Sequence, residues 1–323
     1  MKILFLDKHA LGTPGEAGSL QSAAADLGHS SANDLSEGPD ILVAIDWHQS
    51  FRAVINRARE LSLPRILIKL EPSVVIPEYS NSQTESLFTA VFEVGRPFSS
   101  PIRPWGQNWD TSYFNNLNRF QRAVSINSNQ YSLVKGELYS LRSKAYSSVP
   151  TLDLFGRGWE RSAIRNTMKM SKECLIALRG RSRITFACLA NFWARPLNYS
   201  GESRDKLETL SKYKYSVVIE NSLEFMSEKL IDCLLAGTIP IYVGPPTHPF
   251  GIPQHLIFSA EPNLESINKA LIKAEESNWG AWRAAASDWV FSASSRATWE
   301  AKNCDIRIIK DLDDYIKPVE QLS

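Results

Sequence analysis

Apolar and polar positions alternate most informatively between residues 212 and 246. Tyr215 to Ile219 is a run of β-branched and apolar residues, which predicts a strand buried on both faces of a parallel sheet. It stops at the polar pair Glu220-Asn221. From Met226 to Ala236, Leu230, Leu234 and Leu235 fall on one helical face, with Ser227, Glu228 and Lys229 in the opening turn. Gly237 stands where a helix needs a left-handed stop. Thr238 to Val243 reads as a second strand, with Pro240 near its start, where a missing N–H is tolerated, and Gly244-Pro245-Pro246 closing it. The whole is one βαβ unit.

The first hundred residues repeat this alternation. Strands are predicted at 2–6, 40–45, 65–70 and 88–92, with helical stretches at 15–27 and 49–61, a Rossmann-like order. Residues 93–118 hold several prolines with Trp105 and Trp109 and little period, as in a loop-rich passage between domains. Those tryptophans either stack on a ligand between the domains or pack the seam. A second alternation follows, with a strand at 122–127, a helix at 131–145 and a strand at 151–155 that ends in Gly156-Arg157-Gly158. Leu264 to Glu276 is amphipathic, and a Trp-rich C-terminal stretch (Trp279, Trp282, Trp289, Trp299) predicts helices packed on the body. The reading is an α/β protein of two Rossmann-like domains with a cleft between them. Residues 1–119 form the first, 120–290 the second and 291–323 a helical tail.

A chain of 323 residues is long enough for two such cores. The net charge of +1 argues against nucleic acid as a partner, since phosphate-backbone binding leaves a basic excess. Cys174, Cys188, Cys233 and Cys304 show no paired spacing, which favours reduced thiols and no zinc site. The start, Met1 to Asp7, is strand-like and unlike a secretion signal, and no apolar run reaches the roughly 18 residues that span a bilayer. A cytoplasmic location follows as the expectation. Arg161, Arg165, Arg179, Arg181, Arg183, Arg195 and Arg204 leave two readings, a peripheral contact with the inner membrane surface or an ordinary solvated face, and the Ser- and Ala-rich context favours the second. Asp311-Leu312-Asp313 matches a manganese-binding Asp-x-Asp pattern, but it lies in a charged helical tail and not at a strand end.

In a βαβ unit the strand ends and the helix start share one rim, so Glu220, Asn221, Glu228 and Lys229 should converge. Free N–H groups at a helix start together with a lysine attract phosphate, while a carboxylate in the same turn suits a sugar diol. That combination describes a nucleotide. Arg157, between two glycines that would let backbone approach a ligand, is a further phosphate candidate. In the first half, the apolar run ending at Leu70 delivers Glu71-Pro72 at a strand end, and Asp46-Trp47-His48 follows the strand before it, to line the cleft or pack.

The sequence Tyr213-Lys214-Tyr215 through Glu220-Asn221, then Ser227-Glu228-Lys229 and Gly237-Thr238-Ile239-Pro240-Ile241, resembles the donor-binding region of family 10 glycosyltransferases, the α-1,3/1,4-fucosyltransferases. The resemblance implies a GT-B fold, GDP-fucose as donor, a saccharide or glycoconjugate acceptor, inversion at the anomeric carbon and no required metal or cofactor. It casts Glu71 as general base. It also casts Lys135, Arg157, Glu220, Asn221, Ser227, Glu228 and Lys229 as the donor-binding set. Two positions depart from the pattern. Phe225 stands where relatives carry an aromatic hydroxyl, and Lys135, seven residues after Ser128, stands where they carry an arginine, keeping charge without a two-pronged geometry.

Overall fold

In the computed structural model, residues 1–7, 16–94, 109–160 and 196–320 are described. Two five-stranded parallel sheets form the frame. The first comprises β1 (Lys2–Leu6), β2 (Ser30–Ala32), β3 (Ile41–Ile45), β4 (Arg65–Lys69) and β5 (Ala90–Glu93), in the order β2-β1-β3-β4-β5. Because successive side chains leave a strand on opposite faces, Ile41 and Val43 enter one core and Leu42 and Ala44 another. Helix α1 (Glu16–Asp26) covers the first face and α2 (Arg52–Glu60) the second. Both faces being covered explains the unbroken apolar runs. A short α3 (Ser82–Glu85) precedes β5.

The second sheet, in the order β10-β9-β8-β6-β7, is built from β6 (Phe120–Ile126), β7 (Leu152–Phe155), β8 (Tyr213–Ile219), β9 (Ile239–Val243) and β10 (Phe258–Ser259). Its helices are α4 (Tyr139–Ser148), α5 (Lys206–Ser211), α6 (Lys229–Leu235), α7 (Leu264–Glu276) and α8 (Trp279–Val290). After α9 (Ala293–Trp299), the long α10 (Ala301–Glu320) returns to the first half, where Ile308, Ile309 and Leu312 enter the core beneath α1. Asp313 of the Asp-x-Asp triplet lies in that helix and pairs with His29 at 3.1 Å.

One unread strand and two late helix starts stand out against the sequence reading, each for a physical reason. Ser30–Ala32 is too short and polar to announce itself, and it sits at a sheet edge where little burial is needed. Helix α4 starts at Tyr139, eight residues late, because Gly136 turns the chain at φ +97° and the Glu137 carboxylate accepts the Ser140 amide at 2.9 Å. Helix α6 starts at Lys229 rather than Met226, because the preceding residues are drawn onto the Glu220 side chain. It does end as expected, at Gly237 with φ +68°. There the buried Arg119 guanidinium donates to the Ala236 carbonyl at 2.7 Å and to Thr238 Oγ1 at 3.1 Å, tying the helix end to the sheet.

Across the seam, Val74 of the first half packs against Val134 and Tyr139 of the second. Trp109 takes the packing role weighed for the linker tryptophans, donating to the Val290 carbonyl at 3.2 Å beside Trp289. Trp105, Cys174, Cys188 and every arginine of the Arg-rich stretch except Arg204 lie outside the described residues.

Candidate active site

The carboxyl ends of both sheets face a cavity of about 480 Å³. The first half contributes Glu71 and Val75, from the loop that leaves β4. The second contributes four cations, Arg142, Arg157, Lys206 and Lys229, and three kinds of polar partner: Asn127 and Ser128 after β6, Asn221 after β8, and the acids Glu202 and Glu228. Among the described residues, four cations meet three acids, a balance that favours an anionic guest.

The signature residues divide into those that hold the rim and those that form it. Glu220 is fully buried and lies outside the cavity. Its carboxylate accepts the Ser227 amide at 3.0 Å and the Ser227 hydroxyl at 2.6 Å, and Lys229 Nζ stands 3.7 Å away while donating to Ser227 Oγ at 2.8 Å. The Tyr242 ring and the Glu220 stem together explain Gly244, where a Cβ would meet Tyr242 Cζ at 2.5 Å and Glu220 Cγ at 2.7 Å. So Glu220 and Ser227, read from the sequence as donor contacts, instead fold the loop that presents Lys229.

Beside them, Lys206 Nζ donates to Glu228 at 2.7 Å and lies 3.9 Å from Asp232. Burial opposes the Glu228 charge, but Lys229 and Lys206 overcome it and bring the carboxyl down to about 2. Asp232 has the opposite fate. Burial drives it up to about 8, because the nearer Lys206 contact belongs to Glu228, whose charge repels a second carboxylate. Two acids around one lysine thus share one negative charge, and the cavity meets it as Glu228.

Arg142 was not legible as a site residue. It is buried in α4, donates through Nε and an Nη to the Ile219 carbonyl at 2.9 and 2.6 Å, and reaches Asn221 Oδ1 at 2.9 Å. The Tyr139 ring lies 4.7 Å from its guanidinium. With Nε and Nη2 committed to Ile219 and Asn221, the guanidinium is a fixed positive charge at the cavity wall that keeps Nη1 to donate to an anion. Lys135, the cation that the family resemblance implied, is exposed and lies outside the cavity lining, in the loop before Gly136. Lys206 and Asn127 also line the cavity unannounced. Asn127 Oδ1 is buried with no hydrogen-bond partner among the described residues.

The glycine before Arg157 proves to serve packing. At Gly156, with φ +137°, a Cβ would stand 2.0 Å from the Asn127 carbonyl oxygen, which accepts Trp159 Nε1 at 2.7 Å. Arg157 itself reaches the cavity mouth, mostly exposed, and pairs with Glu202 at 3.1 Å.

On the first half, Trp47 is buried and His48 is exposed, capping its own turn, so that pair packs and does not line the cleft. Asp46 accepts the Leu70 and Glu71 amides at 2.9 and 3.2 Å and the Tyr79 hydroxyl at 2.9 Å. Burial, reinforced by the Asp46 charge, pushes the Tyr79 phenol well above its ordinary value, so it remains a donor. Among the described residues no group of three or more His, Cys, Asp or Glu side chains is arranged to hold a metal ion, and no helix is long and apolar enough to cross a membrane.

This architecture recurs in solved structures. An α1,3-fucosyltransferase aligns with a TM-score of 0.56 at 13% identity, over 98% of this chain and 89% of that one. Anabaena HepE, solved with UDP and glucose, aligns at 0.59 and 12% identity, over 97% and 100% of the two chains. The chain has the GT-B fold. The trehalose 6-phosphate synthase of Burkholderia multivorans is also similar, at 0.52 and 14% identity over 95% and 76% of the chains. No protein-family profile matches the chain. In sequence, 44 residues are 46% identical to a fucosyltransferase-like protein of Arabidopsis thaliana, a match spanning 13% of this chain and only 9% of that relative.

Proposed function

We propose that the chain is a glycosyltransferase of the inverting kind, moving fucose from GDP-fucose to a saccharide hydroxyl without a metal ion. One observation carries this reading: a carboxylate from one half, Glu71, faces a cation-rich rim on the other across a single cavity. The family 10 resemblance of residues 212–246 and the short match to a fucosyltransferase-like relative support fucose over other sugars.

In this mechanism the acceptor oxygen forms its bond to the anomeric carbon as the bond from that carbon to the diphosphate oxygen breaks. Glu71 takes the acceptor proton from the face opposite the leaving group. The diphosphate departs with the electron pair, its charge offset by Lys229, Arg142 and Lys206, with Arg157 at the mouth. Asn221 and Glu228 hold sugar and ribose hydroxyls, and Asn127 Oδ1 is open to accept from the same groups. Glu220 and Ser227 act one step back, through Lys229. Lys135 has no part in it.

A second donor has a specific observation behind it. The neighbour solved with UDP and glucose aligns at least as well as the fucosyltransferase, so UDP-hexose is the alternative. Thermal shift and calorimetry with GDP, UDP, GDP-fucose, GDP-mannose and UDP-glucose separate the two, because a ligand that binds the folded state raises its melting point. GDP binding with release of GDP from GDP-fucose is the expected result. A response to UDP compounds alone transfers the reading to the alternative, and silence toward all five overturns both.

A further inference from the structure

Asp46 is a residue in an unfavourable backbone state with an identifiable task. Its φ is +54°, a left-handed conformation that costs a non-glycine residue about 1 kcal/mol or more. Its own amide still donates to the Ile68 carbonyl at 2.9 Å, in register with β4. Beyond that point both strands have ended. The Asp46 side chain then continues the pairing, one carboxylate oxygen accepting the amides of Leu70 and Glu71 where a strand partner would otherwise stand. Tyr79 donates to the same oxygen and accepts the Trp47 amide at 2.8 Å, which closes a ring over the ends of β3 and β4. All of it is buried: Asp46 and Tyr79 are each 7% exposed. Three residues after Glu71, Val74 fastens the same loop to Val134 and Tyr139 of the opposite half. Tyr139 in turn lies against Arg142. Glu71 is thus held between a polar latch on its own half and an apolar pin on the other.

We propose that Asp46, with Tyr79, is a positioning residue that fixes the Glu71 carboxylate at the distance and angle the transfer needs. The proposal rests on Glu71 being the base. Misplacing a reacting group by about 1 Å can cost on the order of 100-fold in rate, so the effect belongs in kcat and not in donor binding.

The informative variant is Asp46→Gly, which adopts φ +54° without strain and removes only the acceptor. Asp46→Asn keeps an oxygen acceptor and tolerates the same φ, and Tyr79→Phe removes one bond of the ring. GDP release from GDP-fucose and GDP affinity are measured for each, with Glu71→Gln as reference, together with amide exchange at Leu70 and Glu71. Asp46→Gly should lower kcat by roughly 30- to 100-fold with KM and GDP affinity changed less than about threefold. Its Leu70 and Glu71 amides should exchange at least about tenfold faster, while those of Ile66 and Ile68 stay protected. Asp46→Asn should recover most of kcat, and Tyr79→Phe should fall between. Should Asp46→Gly misfold, Asp46→Asn and Tyr79→Phe, both near-isosteric, decide the matter through the same exchange readout. Full kcat in Asp46→Gly alongside a dead Glu71→Gln overturns the positioning role, as does unchanged exchange at Leu70 and Glu71. A fully active Glu71→Gln overturns instead the base assignment beneath it.

Discussion

The two halves share one plan and use it differently. Each is a parallel sheet of five strands with a rim of strand ends turned to the cavity. The second half crowds that rim with charge, four cations and two acids lining the cavity. Among the described residues the first half lines the cavity with one ionisable group, Glu71, and uses two buried charges to hold strand ends together. Lys69 is buried between Glu93 and Glu85, and Asp46 is buried on the Glu71 backbone. The difference teaches that equal topology leaves chemistry free: on the proposed reading one rim binds an anion and the other aims a single carboxylate.

If labour is divided in this way, removing the aimed group should separate rate from binding. Glu71→Gln keeps the shape and deletes the base, and transfer should fall by about 10²- to 10⁴-fold with GDP affinity unchanged by calorimetry. A parallel loss of GDP affinity would break the comparison, since it would make Glu71 part of the binding rim.

Backbone approaches backbone closely at the rim and loosely at the far end of a sheet. Gly38, in the turn that enters the amino end of β3, has φ +65° with open space around it, whereas Gly156, at the cavity, would place a Cβ 2.0 Å from the Asn127 carbonyl oxygen. Gly38→Ala should therefore cost about 1 kcal/mol from φ alone. Gly156→Ala adds a backbone clash and should cost about 2–4 kcal/mol, read as a larger drop in denaturation midpoint, and it should weaken GDP binding because Asn127 lines the cavity.

A smaller effect distinguishes two cations of the second half. Arg142→Lys preserves charge but not the fork held on Ile219 and Asn221, and GDP affinity should fall about tenfold. Lys135→Ala should leave it within about twofold, as expected for an exposed charge remote from the ligand. Equal losses would restore Lys135 to the site.

Much of this was legible before the fold. Strands buried on both faces declare themselves by unbroken apolar runs, as β3, β4, β8 and β9 do, and Gly237 marks a helix end wherever it occurs. Asn221, Glu228 and Lys229 followed from strand and helix ends sharing a rim, whereas Glu71 was singled out at its strand end by the family resemblance; all four line the cavity. What was hidden depends on side chains crossing between elements. Arg142 reads as a polar helical residue among serines until Ile219 and Asn221 are brought beside it. Glu220 looked like a ligand contact because sequence cannot tell a carboxylate that faces a cavity from one that folds back on Ser227. For Asp46 the sequence left lining the cleft and packing both open, and its hold on the Leu70 and Glu71 amides shows only in the fold.

The last test concerns the charge shared beneath the binding rim. Asp232 is buried and holds its proton to about pH 8, whereas in the unfolded chain it would ionise near 3.8. Between those values the folded state binds one more proton than the unfolded state, so its stability falls as pH rises, by at most about 1.4 kcal/mol per pH unit. Glu228 acts in a separate window: lowered to about 2 from 4.5, it stabilises the fold above pH 4.5 and that contribution is lost as pH falls toward 2. Asp232→Asn has no proton to lose, so its melting point should decline less than the wild type's from pH 5 to 8, leaving the variant relatively more stable at the alkaline end. The acid-side loss below pH 4.5 should persist, because Lys206 still pairs with Glu228. An unchanged slope between pH 5 and 8 would mean that Asp232 is already ionised in the fold. The rim would then carry one more negative charge than its cations were arranged to leave, and the contrast between a binding half and an aiming half would lose its electrostatic basis.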